Sequence, residues 1–252
     1  MSIELNKIYN EDCIQTMNKM PDNFIDLTVT SPPYDNLRTY NGYSFDFESI
    51  AKELFRVTKE GGVVVWIVGD ATIKGSESGT SFKQALYFIE CGFNLHDTMI
   101  YEKNSSTYPA NNKSNRYSQI FEYMFILSKG KPNKTNLIKD KANKWAGHKD
   151  FSGKLKNPVP DFSPRNNIWK YTTSFNDKTN HPAVFPEQIA KDHIITWSDK
   201  GDLIYDCFMG SGTTAKMALS NERNYIGSEI SKDYCHIIEE RINNHKKQLK
   251  LL

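Results

Sequence analysis

The chain has 252 residues, a hydrophobic content of 38% and a formal net charge of +2, a composition that fits one α/β domain with an insertion better than two equal domains. Its longest apolar run, Val63–Val68, is far shorter than the roughly 20 residues that a membrane-spanning helix needs, and residues Met1–Glu4 show no signal-peptide pattern, so we expect no membrane association. Four dispersed cysteines without a C-x-x-C pair indicate neither a disulfide framework nor a zinc site, and a cytoplasmic location is expected.

Strands and helices are predicted to alternate along the chain. Short apolar runs predict strands at Glu4–Tyr9, Ile25–Thr30, Val63–Val68, Leu95–Tyr101, Phe121–Leu127, Leu203–Asp206 and Asn224–Ser228. Helical patterns are found at Phe47–Thr58, Ser81–Glu90, Pro186–Trp197, Thr213–Asn221 and Lys232–Lys247. Such alternation is typical of a mostly parallel sheet covered on both faces. Because no helix separates Leu95–Tyr101 from Phe121–Leu127, these two strands are predicted to form an antiparallel pair.

The segment Thr30–Tyr34, which reads Thr-Ser-Pro-Pro-Tyr, lies at the end of the predicted strand Ile25–Thr30. Two prolines impose a rigid, non-helical corner at the carboxyl end of that strand, where α/β folds place their ligands. The Ser31 hydroxyl and the proline carbonyls offer hydrogen-bond acceptors, and Tyr34 offers an aromatic face. A flat ring with an exocyclic amine fits these groups. The alternative is a turn that packs a tyrosine, or a Pro-Pro-x-Tyr-like ligand of a small domain.

A glycine-rich turn follows the predicted strand Leu203–Asp206. Residues 206–214 read Asp-Cys-Phe-Met-Gly-Ser-Gly-Thr-Thr and lead into a predicted helix, as in nucleotide-binding sites. Glu229 ends the next predicted strand nineteen positions after Gly210, where a carboxylate usually binds a ribose hydroxyl. The turn lacks the third glycine of the dinucleotide fingerprint and has no basic residue. Because Asp206 adds negative charge to the turn, the turn favours a ligand with an amine and a sulfonium over a diphosphate.

Together these segments resemble the β-type amino-methyltransferases, which methylate exocyclic amines in DNA with S-adenosylmethionine. The resemblance covers nearly the whole chain, with the Ser-Pro-Pro-Tyr segment first, a variable region next and the glycine turn last. Further matches are Asp12-Cys13 and the segment His181–Glu187, whereas Cys207 stands where the family usually has proline. The resemblance implies an α/β fold of the three-layer Rossmann-like methyltransferase type. Its sheet is mostly parallel with an antiparallel edge hairpin, and its motif order is circularly permuted.

The resemblance also assigns residues to the site. It implies that the catalytic residues are Ser31, Pro32, Pro33 and Tyr34. The residues that it assigns to cofactor binding are Asp12, Cys13, Ala183, Phe185, Asp206, Phe208, Gly210, Gly212, Thr213 and Glu229. In the family, the segment around Asp12 lines the adenine of the cofactor and the segment around Ala183 lines its methionine, while Glu229 is expected on the ribose. No residue set has metal-ligand spacing, so no metal is expected.

Positive charge is concentrated in the middle of the chain. Lys103–Lys178 contains 15 Lys and Arg against 5 Asp and Glu, a formal charge of +10, whereas the remainder carries −8. Aromatic side chains interleave with these charges at Trp145, Phe151, Phe162 and Trp169. A basic block on an acidic body indicates a polyanion partner, although a solvated lysine-rich loop is the alternative. We expect a catalytic half at 1–102, a basic insertion that recognises double-stranded DNA at 103–180, and a cofactor-binding half at 181–252.

The resemblance implies direct methyl transfer from sulfur to nitrogen on a base flipped out of the duplex. Ser31 and the Pro32 carbonyl would accept hydrogen bonds from the amine, and Tyr34 would stack on the base. Serine in the first position resembles the N4-cytosine type, whereas the N6-adenine type, the alternative, more often has Asp or Asn there. A non-catalytic nucleic-acid-binding module, or methylation of RNA or a small molecule, is a further alternative. A homodimer and a restriction endonuclease partner are both left open.

Overall fold

A computed structural model of the protein describes residues 3–33, 45–106, 110–111, 113–149, 158–172 and 186–249. Its strands are β1 (Lys7–Tyr9), β2 (Ile25–Thr30), β3 (Thr58–Val68), β4 (Thr72–Ile73), β5 (Ser76–Glu77), β6 (Asn94–Lys103), β7 (Phe121–Ser128), β8 (Lys139–Ala142), β9 (Phe162–Pro164), β10 (Ile168–Tyr171), β11 (Leu203–Asp206) and β12 (Asn224–Ser228). Its helices are α1 (Cys13–Met17), α2 (Phe47–Val57), α3 (Thr80–Glu90), α4 (Glu187–Trp197), α5 (Thr213–Ser220) and α6 (Lys232–Leu249).

Eight of these strands form the central sheet, in the order β1-β12-β11-β2-β3-β7-β6-β10. Neighbouring strands are parallel except where β7 pairs antiparallel with β3 on one side and β6 on the other. Two small antiparallel hairpins, β4–β5 and β8–β9, lie outside this sheet. The predicted α/β class, the mostly parallel sheet and the antiparallel pairing of β6 with β7 are confirmed.

The central strands are buried on both faces, which makes the fold three layers deep. Along β3, Val63, Val65 and Ile67 face one apolar core, while the alternate residues face the other. Helices α4, α5 and α6 contribute to the first core, and α1, α2 and α3 contribute to the second. A near-continuous apolar strand is what burial on both faces requires. Within the described ranges, no helix has an apolar stretch long enough to cross a bilayer.

Six short elements that the sequence did not predict complete the architecture, namely α1, β4, β5, β8, β9 and β10. Helix α1 is five residues long, and strand β10 pairs parallel with β6 and extends the sheet by one strand beyond the β6–β7 pair. In β10 only Trp169 is buried, and Ile168 is exposed, so the segment lacks the run of apolar residues that marks the central strands. The segment 103–180 thus supplies β7 and β10 to the sheet and the β8–β9 hairpin outside it.

The neighbouring strands β11 and β2 form the point where the connections of the sheet change direction. From β11 the chain passes through α5 to β12 on one side, and from β2 it passes through α2 to β3 on the other. These two helices lie on opposite faces of the sheet. In open α/β sheets a crevice forms at the carboxyl ends of two such strands. The Ser-Pro-Pro segment follows β2 and the glycine turn follows β11, so this crevice is expected between them.

Candidate active site

The end of β2 is joined to the end of β11 by a buried hydrogen bond. The Thr30 hydroxyl donates to Asp206 Oδ1 over 2.7 Å, so the residue before Ser31 is tied to the first residue of the glycine turn. Pro32 is buried, whereas Ser31 and Pro33 are partly exposed at the crevice. Three of the four predicted catalytic residues are therefore placed beside the predicted cofactor turn. Tyr34 lies outside the described residues.

Strand β11 and helix α5 are connected by the predicted glycine turn. Asp206 Oδ1 also accepts a hydrogen bond from the Phe208 N–H over 3.0 Å, which starts the turn. Gly210 and Gly212 have φ values of +52° and +79°, in the left-handed region that glycine adopts without strain. The Gly212 N–H donates to the Met209 carbonyl over 2.8 Å, and α5 begins at the next residue. The turn is thus closed by its own hydrogen bonds.

Gly212→Ala is expected to destabilise the protein more than the same change at another glycine with positive φ. A Cβ at Gly212 would lie 2.6 Å from Ile238 Cγ2, whereas a Cβ at Gly201, where φ is +86°, meets nothing within 4 Å. Left-handed strain costs alanine about 1–2 kcal/mol at either position. Overpacking against Ile238 adds about 1–3 kcal/mol at Gly212 alone. Urea unfolding of both variants measures the difference, and equal losses would contradict the predicted contact.

Glu229 binds the backbone of the turn from the end of the neighbouring strand β12. Its Oε2 accepts a hydrogen bond from the Gly210 N–H over 2.9 Å, and its Oε1 accepts one from the Ser231 N–H over 2.8 Å. The Glu229 N–H donates to the Tyr9 carbonyl at the end of β1 over 3.0 Å. The predicted ribose carboxylate therefore lies where the glycine turn meets the ends of β12 and β1.

Asp12 and Cys13 lie just after β1, on the far side of Glu229 from the turn. Asp12 Oδ1 accepts a hydrogen bond from the Ile14 N–H over 2.8 Å and so caps α1. Cys13 is buried, and this burial raises the pKa of its thiol to about 12. A thiol with so high a pKa is neutral at pH 7 and is not an activated nucleophile. Cys13 can therefore contribute shape to the site, and no covalent chemistry is indicated.

Two buried carboxylates give the site its electrostatic character. Asp206 is 5% exposed and Glu229 is 9% exposed. Burial raises the pKa of the Asp206 carboxyl, although the hydrogen bonds from Thr30 and Phe208 oppose this shift. Burial also raises the pKa of Glu229, against the opposing effect of its backbone hydrogen bonds. Holding these groups ionised near neutral pH costs folding free energy, and a cationic ligand would recover part of that cost.

Asp206→Asn is expected to raise the Tm of the ligand-free protein at pH 7 to 8. The raised pKa means that the native state favours the protonated carboxyl, so the destabilising charge develops as the pH rises through that pKa. Asparagine keeps an Oδ1 acceptor for Thr30 and Phe208 without the charge. The Tm advantage should shrink as the pH falls below the pKa of Asp206, which thermal unfolding across pH 4 to 8 measures. A variant less stable than wild type at pH 8 would contradict this account.

Arg241 and Glu187, which the sequence prediction did not assign to the site, support the glycine turn. Arg241 on α6 donates hydrogen bonds to the Ser211 carbonyl over 2.9 Å and to Thr213 Oγ1 over 3.2 Å. Its other nitrogen donates to Glu187 Oε1 over 2.6 Å, which also accepts from Lys216 Nζ over 2.7 Å. Glu187 ends the segment that resembles the family's methionine-binding motif, which was a signal for its position. Arg241 had no comparable signal, because its contact depends on the packing of α6.

The predicted cofactor residues fall into two sets. Those that the structure brings to one sheet edge, around the ends of β1, β11 and β12, are Asp12, Cys13, Asp206, Phe208, Gly210, Gly212, Thr213 and Glu229. Ala183 and Phe185 lie outside the described residues. Phe208 packs with its ring 6.1 Å from that of Trp66. Their assignment to a ligand stays a prediction, but the geometry places one contiguous set of polar and glycine residues at the crevice.

Comparison with known proteins gives a consistent family. The family described as DNA methylase matches residues 25–240. The orphan methyltransferase M.BamHII from Bacillus amyloliquefaciens is 58% identical over 88% of this chain and 89% of its own length. The type II methyltransferase M.BglII from Bacillus subtilis is 26% identical over 92% of this chain and 68% of its own length.

Solved structures show the same fold. The PvuII DNA methyltransferase, described as cytosine-N4-specific, has a TM-score of 0.74 and 21% identity, covering 98% of this chain and 93% of that one. A putative DNA modification methylase from Thermus thermophilus, complexed with S-adenosyl-L-methionine, has a TM-score of 0.66 and 21% identity, covering 94% and 95%. The family match spans most of the chain, and this protein therefore belongs to the DNA methylases of the N4/N6 amino-methyltransferase family.

Proposed function

We propose that this DNA amino-methyltransferase transfers the methyl group of S-adenosylmethionine to the N4 amine of a flipped cytosine. The observation that carries the proposal is the 2.7 Å hydrogen bond between Thr30 and Asp206. Through it, the Ser-Pro-Pro segment suited to an amine and the glycine turn suited to a nucleoside are fixed side by side. A donor and an acceptor bound at these two segments would meet at the crevice between β2 and β11.

The donor set of the site fits S-adenosylmethionine. Asp12, Asp206 and Glu229 place carboxylates around the turn, and residues 206–214 include no Lys or Arg. This arrangement suits the ammonium and sulfonium charges of that cofactor, whereas a diphosphate would meet repulsion. The Thermus thermophilus structure with a similar fold holds the same cofactor. When bound, the cofactor supplies a methyl group made electrophilic by its sulfonium.

The residues of the chain are assigned positioning and hydrogen-bonding roles. An exocyclic base amine is a weak nucleophile because its lone pair is delocalised into the ring. Hydrogen bonds from the amine to Ser31 Oγ and the Pro32 carbonyl favour a tetrahedral nitrogen whose lone pair points toward the methyl group. The Pro32 carbonyl is a backbone group of a buried residue, so its position does not depend on a mobile side chain. The remaining rate enhancement comes from alignment of the two reactants. As the amine nitrogen bonds to the methyl carbon, the S–CH3 bond would break to leave a neutral thioether, and the methylated nitrogen would lose one proton to solvent.

Access to the amine requires the target base to leave the duplex, since the reacting nitrogen cannot be approached in line within the stack. Tyr34 follows Pro33 directly, and we assign to it the stacking contact with the flipped base. The basic segment 103–180 is assigned to recognition of double-stranded DNA, between the catalytic half 1–102 and the cofactor-binding half 181–252. DNA is the substrate class of the family.

Cytosine N4 is favoured over adenine N6 because serine occupies the first position of the tetrapeptide. The PvuII enzyme of similar fold is described as cytosine-N4-specific, which supports this choice. Both amines lie beside a ring nitrogen and both can donate to Ser31, so adenine is the competing substrate. Nucleoside mass spectrometry of unmodified DNA, incubated with the protein and methyl-labelled S-adenosylmethionine, separates the two.

Labelled N4-methylcytosine would support the proposal. Labelled N6-methyladenine would preserve the mechanism and overturn the use of Ser31 as the discriminating residue. The absence of label from several unrelated DNAs, with labelled RNA instead, would overturn the substrate class. A homodimer and a restriction endonuclease partner stay predictions from the resemblance, and sedimentation velocity tests the first. The 58% identical relative is described as an orphan methyltransferase, which favours a solitary enzyme.

A further inference from the structure

One tryptophan of this chain is exposed, and its surroundings are positively charged. Trp145 is 66% exposed, whereas Trp66, Trp169 and Trp197 are at most 5% exposed. It lies in the loop that joins β8 to β9, within the basic segment. A large exposed indole leaves apolar surface in water, and an isolated instance needs no explanation. Here, however, the loop that carries Trp145 has a hydrogen-bonded backbone, and lysines lie next to Trp145 in the sequence.

The loop holds Trp145 through an ordered set of backbone hydrogen bonds. The Ala146 N–H donates to the Asn143 carbonyl over 3.3 Å, and the His148 N–H donates to the Trp145 carbonyl over 3.1 Å. Gly147 has a φ of +78°, and its N–H donates to the Val159 carbonyl over 2.9 Å. The His148 ring meets the indole edge-on at 6.1 Å. Trp145 is therefore presented by a formed turn, which reduces the ordering entropy of any contact that it makes.

The base of the β8–β9 hairpin is attached to helix α4. At its base, the Asn136 N–H donates to the Thr196 carbonyl near the C-terminal end of α4. Also at the base, Arg165 follows β9 directly and donates from Nη1 to Asp192 Oδ2, one turn nearer the start of α4, over 2.7 Å. Helix α4 begins at Glu187, whose carboxylate accepts a hydrogen bond from Arg241, the residue that supports the glycine turn. The hairpin that carries Trp145 is therefore attached to the helix whose first residue supports the glycine turn.

Exposed cations surround the same loop. Residues 139–149 contain four lysines and one aspartate. Lys144 and Lys149, on either side of Trp145, are both exposed. Asp140, the aspartate, is paired with Arg165, so its charge is already compensated. The lysines can form ion pairs with phosphate groups, and the indole face can stack on a nucleobase.

We infer that Trp145 is a DNA contact, in which its indole stacks on base faces exposed where the duplex opens, while the neighbouring lysines bind phosphates. This inference rests on the proposed function. Stacking and phosphate binding respond differently to salt. Phosphate contacts release counterions and set the slope of log K against log salt, whereas stacking does not. Trp145 and Lys144 should therefore have separable effects on the same binding curve.

Binding of the full chain to a methylatable DNA duplex at several salt concentrations tests the inference. Trp145→Ala should weaken binding about 5- to 150-fold with an unchanged salt slope, the range that loss of one base–aromatic stack gives. Lys144→Ala should instead lower the slope by about 0.9. Leu86→Ala, which removes an exposed apolar side chain (61% exposed) from α3, outside the basic segment, should bind as wild type does.

Intrinsic fluorescence gives an independent readout, because the other three tryptophans are buried. DNA should quench the emission of the wild type and leave that of Trp145→Phe nearly unchanged. Wild-type affinity in Trp145→Ala, or quenching that persists in Trp145→Phe, would overturn the inference. If wild type methylates DNA and Trp145→Ala does so equally well, this inference fails and the proposed function stands. If wild type methylates no DNA, the proposed function fails, and the fluorescence and affinity data still report on Trp145.

Discussion

Glu229→Ala should raise the KM for S-adenosylmethionine about 10- to 100-fold, because it removes a carboxylate that accepts charge-assisted hydrogen bonds. In the free protein this carboxylate binds the Gly210 and Ser231 N–H groups over 2.9 and 2.8 Å. Without it the turn keeps only the backbone hydrogen bond from the Met209 N–H to the Ser228 carbonyl of β12, and the proposed ribose contact is lost as well. The affinity for DNA should be unchanged, since Glu229 lies outside the basic segment 103–180.

The matched control is Glu240→Ala, which removes an exposed carboxylate from α6. It should leave the KM, the kcat and the Tm close to their wild-type values. Glu229→Gln refines the test, because the amide retains one acceptor oxygen but no charge, and its KM should lie between those of wild type and Glu229→Ala. Isothermal titration of the cofactor and steady-state kinetics measure these effects. Unchanged cofactor affinity in Glu229→Ala would remove Glu229 from the binding site.

Ser31→Ala should lower kcat about 100-fold, the loss typical of removing one hydrogen-bonding partner that acts in the transition state. Its KM for S-adenosylmethionine should be unchanged, since the proposed partner of the hydroxyl is the base amine. Ser31 is partly exposed at the crevice and follows Thr30, whose hydroxyl is fixed by Asp206 over 2.7 Å. The substitution therefore removes an acceptor while the strand end stays in place.

Ser31→Thr retains the hydroxyl and should recover part of the activity, which a purely steric role of Ser31 would not allow. Ser76→Ala, on the exposed hairpin strand β5, is the control for loss of a serine hydroxyl and should match wild type. Single-turnover methylation separates the chemical step from product release. Wild-type kcat in Ser31→Ala would show that the amine is bound elsewhere. A raised KM for the cofactor with normal kcat would reassign Ser31 to cofactor binding.

Much of the fold could be predicted because its central strands satisfy a strong local requirement. Val63–Val68 is apolar at every position, since odd and even side chains face two different cores, and such a run has few other interpretations. The two strand ends that matter for the site were recognisable because proline and glycine restrict or extend the backbone there. The carboxyl ends of β2 and β11 were therefore predicted, together with the residues that follow them, and the end of β12 was predicted from the spacing between Gly210 and Glu229.

The elements that could not be predicted depend on contacts distant in sequence. Strand β10 has one buried residue, Trp169, whose ring stacks on His193 of α4 at 4.6 Å. That contact stabilises an otherwise exposed four-residue strand, and no local pattern indicates it. Arg241 is similar, because its role depends on where α6 packs against the turn. The interleaved aromatic residues also looked alike in sequence, yet Trp169 is buried and Trp145 is exposed.

The order of strands in the sheet has a consequence for biosynthesis. Strands β1 and β2 leave the ribosome early, yet among the described strands β1 pairs only with β12, and β2 needs β11 as one of its two neighbours. Until Leu203–Ser228 has been synthesised, one edge of β2 is unpaired and the sheet has high contact order. A nascent chain or truncated product thus has the Ser-Pro-Pro segment without the turn beside it. We therefore expect methylation to require residues 203–228, and chains that end before them should leave DNA unmodified.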